Sequence, residues 1–464
     1  MRRGKARHQK SGQLELLLSG WGETPTAHQS GEAGRAARGN ERSGSERLLM
    51  EQAVARENAT QAFKRVRRNK GSPGIDGMTV DELELSLREH WPAIREQLLA
   101  GSYQPSVVKR QLIPKSGGGM RQLGIPTVLD RFVQQLLLQV LQPIFDPTFS
   151  EHSHGFRPGR RAHDAVREAQ RYLQEGRQWV VDVDLERFFD RVNHDVLMGK
   201  LQNRIGDPRV LRIIRRYLEA GIMADGVVME RQEGTPQGGP LSPLLANVLL
   251  DDVDKDLERR GHRFVRYADD CNVYVHSRRA GEDVLAVLRE LYAKLRLRIN
   301  EEKSAVAPAW GRKLLGYSFW VVRGGTVRCG VAAKALAEMK QRVRQITRRS
   351  SGRSLGQVTK ELGVYLRGWK NYFKLAETPT VLRGLDGWIH HRLRALALKR
   401  WKRSRATLRA LRAREVPEWL AQKGAGHAGR WWWASTLGAL HTALPGSHFE
   451  RLGVPRLAPH PSTL

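Results

Sequence analysis

Cysteine is nearly absent from this 464-residue chain: Cys271 and Cys329 are its only two. Two cannot build a disulfide framework, and no close Cys pair marks a zinc site, so the composition fits a reducing cytoplasm. Long apolar runs are missing as well. Nowhere do 18 apolar residues follow one another, and Leu14 to Leu18 is too short for a membrane span or a signal core, which predicts a soluble protein. Acid is the third shortage. Against 79 Lys and Arg stand 48 Asp and Glu, a formal charge of +31 with a pI near 10.8, and such a surplus asks for a polyanionic partner. A membrane surface would need a long helix with Lys and Arg on one face and Trp, Phe or Leu on the other. None stands out, so nucleic acid is the expected partner. Hydrophobic residues make up 40% of the chain, enough for the two or three domains its length predicts.

The few acids are not scattered evenly. Between Phe264-Val265 and Val273-Tyr274-Val275, runs that favour extended backbone, lies Tyr267-Ala268-Asp269-Asp270. This reads as a hairpin with two carboxylates at its turn. Adjacent acids repel unless a cation holds them, and hard divalent ions such as Mg²⁺ take carboxylate oxygens readily. A second acidic site follows the apolar strand Trp179-Val-Val, where Asp182-Val-Asp184-Leu-Glu-Arg-Phe188-Phe189-Asp190 opens a predicted helix. Alternation places Asp182 and Asp184 on one strand face and does not choose between them. Three carboxylates from two strands can hold two metal ions about 4 Å apart, the arrangement used for in-line nucleotidyl transfer.

Tyr267-Ala268-Asp269-Asp270 resembles the signature tetrapeptide of reverse transcriptases. The run from Asp184 to Asp190, Gly234-Thr-Pro236-Gln237-Gly238-Gly239-Pro-Leu-Ser-Pro243, Leu297-Arg-Ile-Asn300-Glu-Glu-Lys303-Ser and Leu314-Leu-Gly316-Tyr-Ser-Phe319 resemble neighbouring blocks of that family, in its order. The nearest group is the group II intron-encoded reverse transcriptase and maturase, and the resemblance spans about Ser45 to Arg403. It implies an α+β right-hand polymerase with fingers, a palm built on an antiparallel sheet and a thumb, followed by a helical maturase domain. The family register selects Asp184, so that Asp184, Asp269 and Asp270 would be the catalytic ligands of two Mg²⁺ ions. It also puts Phe189 under the sugar of the incoming dNTP, where the ring would clash with a 2′-hydroxyl and select deoxynucleotides.

Residues 1–44 read as a disordered basic extension, and 45–176 as fingers that begin with one helix from Ser45 through Val66. Thr79 is the expected cap of a helix ending near Arg88. A glycine-tipped hairpin carries Lys115 on one arm and Arg121 on the other, two cations suited to a triphosphate. In the resembling family the matching positions grip the dNTP, and the loop bearing Gln237 lies against it. After His152-Ser-His154, an apparent ligand pair whose missing third partner points to packing instead, Arg157, Arg160 and Arg161 suit phosphate contacts. The palm is expected over 177–325, with Lys303 a further phosphate contact and Leu314 to Val322 cradling the primer end.

Over residues 331–414, 22 Lys and Arg face 4 Asp and Glu. Arg367, Trp369 and Lys370 mix rings with cations, which suits RNA with exposed loops, although most of Trp369, Tyr372, Phe373 and Trp388 are expected in the core of a small helical domain. Residues 326–414 are therefore the expected thumb and maturase-specific RNA-binding domain. Residues 415–464 read as a tail without strong periodicity and without the Cys-paired endonuclease some family members carry. The expectation is an RNA-directed DNA polymerase that also binds its intron RNA and assists splicing and mobility, with a DNA primer or target and no membrane. A homodimer is left open, and the location would be cytoplasmic, with the nucleoid or a ribonucleoprotein. The competitors are a splicing-only maturase, or a reverse transcriptase of retron, diversity-generating or CRISPR-linked systems.

Overall fold

The computed structural model describes residues 48–114, 119–224, 227–229, 233–235, 238–349 and 352–459; the predicted extension over 1–44 lies outside them. The chain is α+β and divides into two compact units, Met1–Ala165 with Trp179–Val306, and Val166–Gln178 with Ala307–Leu464.

In the first unit the helix expected from Ser45 is two, Leu49–Ala53 and Arg56–Asn69, broken where Ala55 takes an extended conformation. Buried positions continue on both sides of the break, from Leu49 and Met50 to Phe63 and Val66, which is why the sequence reads as one helix. Thr79 does not cap the next helix. Its N–H donates to the Glu82 carboxylate at 2.7 Å in a turn, and the helix runs from Leu83 to Ala100 through Pro92, ending at Gly101 with φ 67°. Helix Val128–Phe145 is central, burying Phe132, Val133, Leu136, Leu137 and Leu141. Its cap, Thr127, accepts from the Asp130 N–H at 3.0 Å.

Strands β1 (Val108–Pro114) and β2 (Met120–Ile125) form the predicted hairpin. It extends through β4 (Ile222–Ala224), parallel to β1, and β5 (Val227–Met229). A second sheet has the order β6-β7-β3-β8, from Arg263–Tyr267, Asp270–Val275, Trp179–Val183 and Ala305–Pro308. Its strands are rich in Val and aromatics, and β7 is buried throughout after its first residue. Helix Arg278–Lys294 packs on β3 and β7, and helix Ser242–Arg259 on β6.

The second unit holds the antiparallel sheet β9 (Lys313–Leu314), β10 (Tyr317–Val321) and β11 (Val327–Val331). Helices Ala333–Ile346, Leu355–Tyr372 and Pro379–Trp401 follow, the second opened by a capping box in which Ser354 and Gln357 bond each other's backbone. Residues 416–459 are folded, contrary to their lack of periodicity. Short helices Glu418–Gly426, Trp431–Ala434, Gly438–Ala443 and Gly446–Arg451 bury mostly alanines, with Leu440, Leu444 and Phe449. Small residues let helices approach closely without producing the large apolar stripe that a sequence reading looks for.

Candidate active site

The two acidic stretches meet at one end of the β6-β7-β3-β8 sheet. Tyr267 pairs with Asp270, leaving Ala268 and Asp269 as a two-residue turn between β6 and β7. Val183, the last residue of β3, pairs with Cys271, the residue after Asp270, so Asp184 leaves the strand at the end of the sheet where the turn lies. Asp182 stands apart. It pairs with Asn272 within the sheet and accepts its side-chain N–H at 2.9 Å. The alternation that could not separate the two acids is thus resolved by pairing: one is tied inside the sheet, the other stands at its open end.

Asp184 is clasped by the loop after helix Arg278–Lys294. Its N–H donates to Ser304 Oγ at 3.0 Å, its carbonyl accepts from Asn300 N–H at 2.8 Å, and Lys303 Nζ lies 3.1 Å from its carboxylate. Lys303, expected on a phosphate, here supplies positive charge to Asp184. Among the described residues no three His, Cys, Asp or Glu side chains gather as a metal site. Backbone position and donor chemistry nonetheless suit a hard cation: Asp184, Asp269 and Asp270 are half-buried or exposed at one sheet end, and carboxylate oxygens are the donors Mg²⁺ takes. Neighbouring Cys271 is no nucleophile, since burial pushes its thiol up to about 12.

The turn is held by a residue that no sequence pattern singles out. Arg266 is fully buried, and its guanidinium uses all five N–H groups. Nε donates to both Asp254 oxygens at 2.8 and 2.9 Å, Nη1 to Asn247 Oδ1 and the Ala268 carbonyl, each at 2.9 Å, and Nη2 to Ser153 Oγ at 2.7 Å and Asp254 Oδ2 at 2.5 Å. Burial alone would drive Arg266 toward losing its proton, and the Asp254 charge more than reverses this; burial in turn lifts Asp254 above the usual carboxylate range. Helix Ser242–Arg259 supplies both Asn247 and Asp254, seven residues apart on one face. The Ala268 carbonyl needs such a hold because Ala268 has φ 60°, a left-handed conformation costing a non-glycine residue about 1–2 kcal/mol.

His152, Ser153 and His154 lie along β6, with the Arg266 N–H donating to His152 O and the His154 N–H to Arg266 O, both at 2.9 Å. These histidines serve packing and backbone pairing, as their spacing suggests. Next to them Gly155 presses on the turn: a Cβ there would stand 2.2 Å from Ala268 N. Gly155→Ala is expected to displace the acidic turn at a measurable cost in stability, because the clash is with backbone, and, if these acids act in polymerisation, to lower turnover about 10²-fold, the cost of a misplacement of about 1 Å; steady-state primer extension beside a thermal melt checks both.

Loops close around the sheet end. Thr235 N–H donates to Phe189 O at 2.7 Å, and Gly238, at φ 140°, has Gly124 O only 2.5 Å from where its Cβ would be. The Gly234 loop thus touches both the Phe188–Asp190 turn and β2. Phe189 is 7% exposed and edge-on to Phe188, with ring centroids 5.1 Å apart. Lys115 and Gln237 lie outside the described residues, and of Arg121 the structure gives its strand position opposite Ile113.

Five expected nucleic-acid contacts are placed differently from one another. Arg157 is a correction: it turns inward, donating to the Asp146 side chain and carbonyl and to the carbonyls of Ser150 and Ser153, away from any phosphate. The pull of Asp146 across an intervening turn is invisible in the sequence. Arg160 is more open, paired with Glu151. In the second unit Trp369 is also a correction, buried with its ring 4.8 Å from Phe373. Exposed Arg367 and Lys370 donate to the carbonyls of Gly453 and Arg456, at 2.9 and 2.7 Å.

The family comparisons agree with this arrangement. Residues 113–319 match the reverse transcriptase (RNA-dependent DNA polymerase) family, and residues 336–414 the maturase-specific domain of group II introns. Protein YkfC of Escherichia coli is 39% identical over 194 residues, covering 41% of this chain and 51% of that protein. The group II intron-encoded protein LtrA of Lactococcus lactis is 28% identical over 336 residues, covering 58% of this chain and 55% of LtrA. The chain spans about half the length of these curated relatives. A solved partial Cas6-RT-Cas1–Cas2 complex overlaps 55% of this chain and 43% of its own at 29% identity, with a TM-score of 0.35, too loose a superposition to argue from. The chain thus carries a reverse transcriptase region followed by a group II intron maturase-specific region.

Proposed function

We propose that this protein is an RNA-directed DNA polymerase that also binds a group II intron RNA and assists its splicing. The observation that carries the polymerase reading is that Asp184 directly follows the end of β3, at the same end of the sheet as the β6–β7 turn that bears Asp269 and Asp270. These three carboxylates would hold two Mg²⁺ ions, which lower the pKa of a primer 3′-hydroxyl and neutralise charge on the triphosphate when bound. Arg266 and Gly155 position the acidic turn. Lys303 balances Asp184 until a cation does so. Lys115, Arg121 and Gln237 would meet the incoming dNTP, with Phe189 beside its sugar. The partners would be intron RNA as template and a DNA strand as primer.

Supporting the RNA reading are the maturase-specific match over residues 336–414 and the surplus of cations there. Among the described residues no helix is long and apolar enough to cross a membrane. The test compares wild type with Asp269→Ala in two assays, Mg²⁺-dependent extension on an RNA template and splicing of the flanking intron RNA. Loss of extension with splicing retained is expected. A wild type that aids splicing and extends no primer would reduce the protein to an RNA-binding maturase.

A further inference from the structure

One helix of the second unit carries a surface that the polymerase reading does not use. On helix Pro379–Trp401, Trp388, His391, Arg392 and Lys399 recur at spacings that share a face. Two guanidiniums flank Trp388: Arg344 lies 5.6 Å and Arg392 5.4 Å from the ring centroid. Trp431 is likewise flanked, by Arg349 at 5.8 Å and Lys399 at 5.3 Å. Single cation–ring pairs are common, but two cations at one indole repel each other. Among the described residues no acid pairs with Arg344, Arg349, Arg392 or Lys399. Burial, and then Arg344 and Arg349, hold the Arg392 guanidinium below its usual range. Such a cluster is relieved by an anion.

Rings continue the surface. Trp432 stacks on His391 with centroids 3.7 Å apart, and His391 Nε2 is 2.7 Å from the Trp432 carbonyl. Trp432 is 43% and Trp433 48% exposed. Trp431, half-buried, leaves its Nε1 shielded and without an acceptor, which a tryptophan selected for the core usually avoids. The triplet is therefore not an interior. Flat rings beside phosphate-seeking cations match a nucleic acid whose bases are free to stack, and paired bases are not. A lipid surface would ask for rings and cations on opposite faces of one long helix, and here the cations lie over the rings themselves.

We propose that Trp432 and Trp433, with the cations around Trp388 and Trp431, form a site for an unpaired stretch of RNA, bases on the rings and phosphates on the arginines. This deepens the RNA-binding reading above and rests on it. The test measures fluorescence anisotropy of the full chain with a short unstructured A-rich RNA labelled with fluorescein, with the same strand annealed in a duplex, and with phosphatidylserine vesicles. The double variant W432A/W433A is expected to lose at least tenfold in affinity for the single strand, in line with stacking energies, and much less for the duplex. W432F/W433F should restore binding, which a merely misfolded variant would not. R344Q/R349Q should flatten the dependence of log affinity on log salt by roughly 0.7 for each charge removed. Unchanged single-strand affinity in W432A/W433A, an equal loss on duplex, or a loss confined to vesicles overturns the proposal. If the variants bind RNA like wild type, this site alone fails; if wild type binds no RNA, the functional reading fails with it.

Discussion

Asp184→Asn abolishes templated extension, lowering kcat by at least about 10³-fold, while the protein folds and melts as before. The magnitude follows from the chemistry of the step. On the function proposed above, a neutral amide just past the end of β3 would remove one of three anionic donors for the cations that carry the transition-state charge, and losing one such stabilising group costs about 10²-fold to 10³-fold or more. Stability should hardly move. The Asp184 carboxylate is 30% exposed and pairs with exposed Lys303, a contact of the kind worth under about 1 kcal/mol. Asp182→Asn is the contrast. That acid is bonded to Asn272 within the sheet, so its replacement should cost modest stability and leave extension within about tenfold of wild type. Single-turnover primer extension and thermal melts on the two variants decide the matter, and a reversed pattern would move the catalytic ligand to Asp182.

Arg266→Met has the largest expected effect on stability, a loss of about 3–5 kcal/mol, because it strands the Asp254 charge in a site with no exposure to water. It also frees the Ala268 carbonyl, and with it the turn that carries Asp269. Chemistry should therefore fall further than stability at temperatures where the variant is still folded. The double variant Arg266→Met with Asp254→Leu separates the two effects. Removing both charges should recover most of the stability, as replacement of buried ion pairs by apolar residues often does. Activity should stay low, since nothing then fixes the Ala268 carbonyl. Chemical denaturation together with extension rates makes the comparison, and recovery of both properties would show that Arg266 serves the fold alone.

Such pairings mark the limit of what the chain discloses on its own. The acidic hairpin was legible because two short strand-forming runs flank Asp269 and Asp270 within a dozen residues, and the order of the motif blocks is itself sequence. The helical period from Ser45 to Val66 was visible too, though not the break at Ala55 that divides it into two helices. The basic surplus over residues 331–414 was a count. None of these needs a distant partner to be recognised.

What only the tertiary structure decided are the properties that depend on a partner far along the chain. Arg157 and Arg160 stand three residues apart in one loop, yet one is buried on Asp146 and the other remains at the surface with Glu151. Trp369 and Trp432 have the same side chain; Phe373 covers the first, and the second stays exposed on His391. Asp182 is bonded to Asn272 inside the sheet, while Asp184, two residues on, lies past the end of the strand beside Lys303. Residues 415–459 pack through alanine and glycine, whose small side chains give too weak a periodic pattern to read. The sequence by itself determined which elements form and which chemistry is present, because those follow from propensity, period and charge. Which charge is buried, which ring is open and which acid stands past the end of its strand are fixed by long-range packing, where desolvation makes a single partner residue decisive.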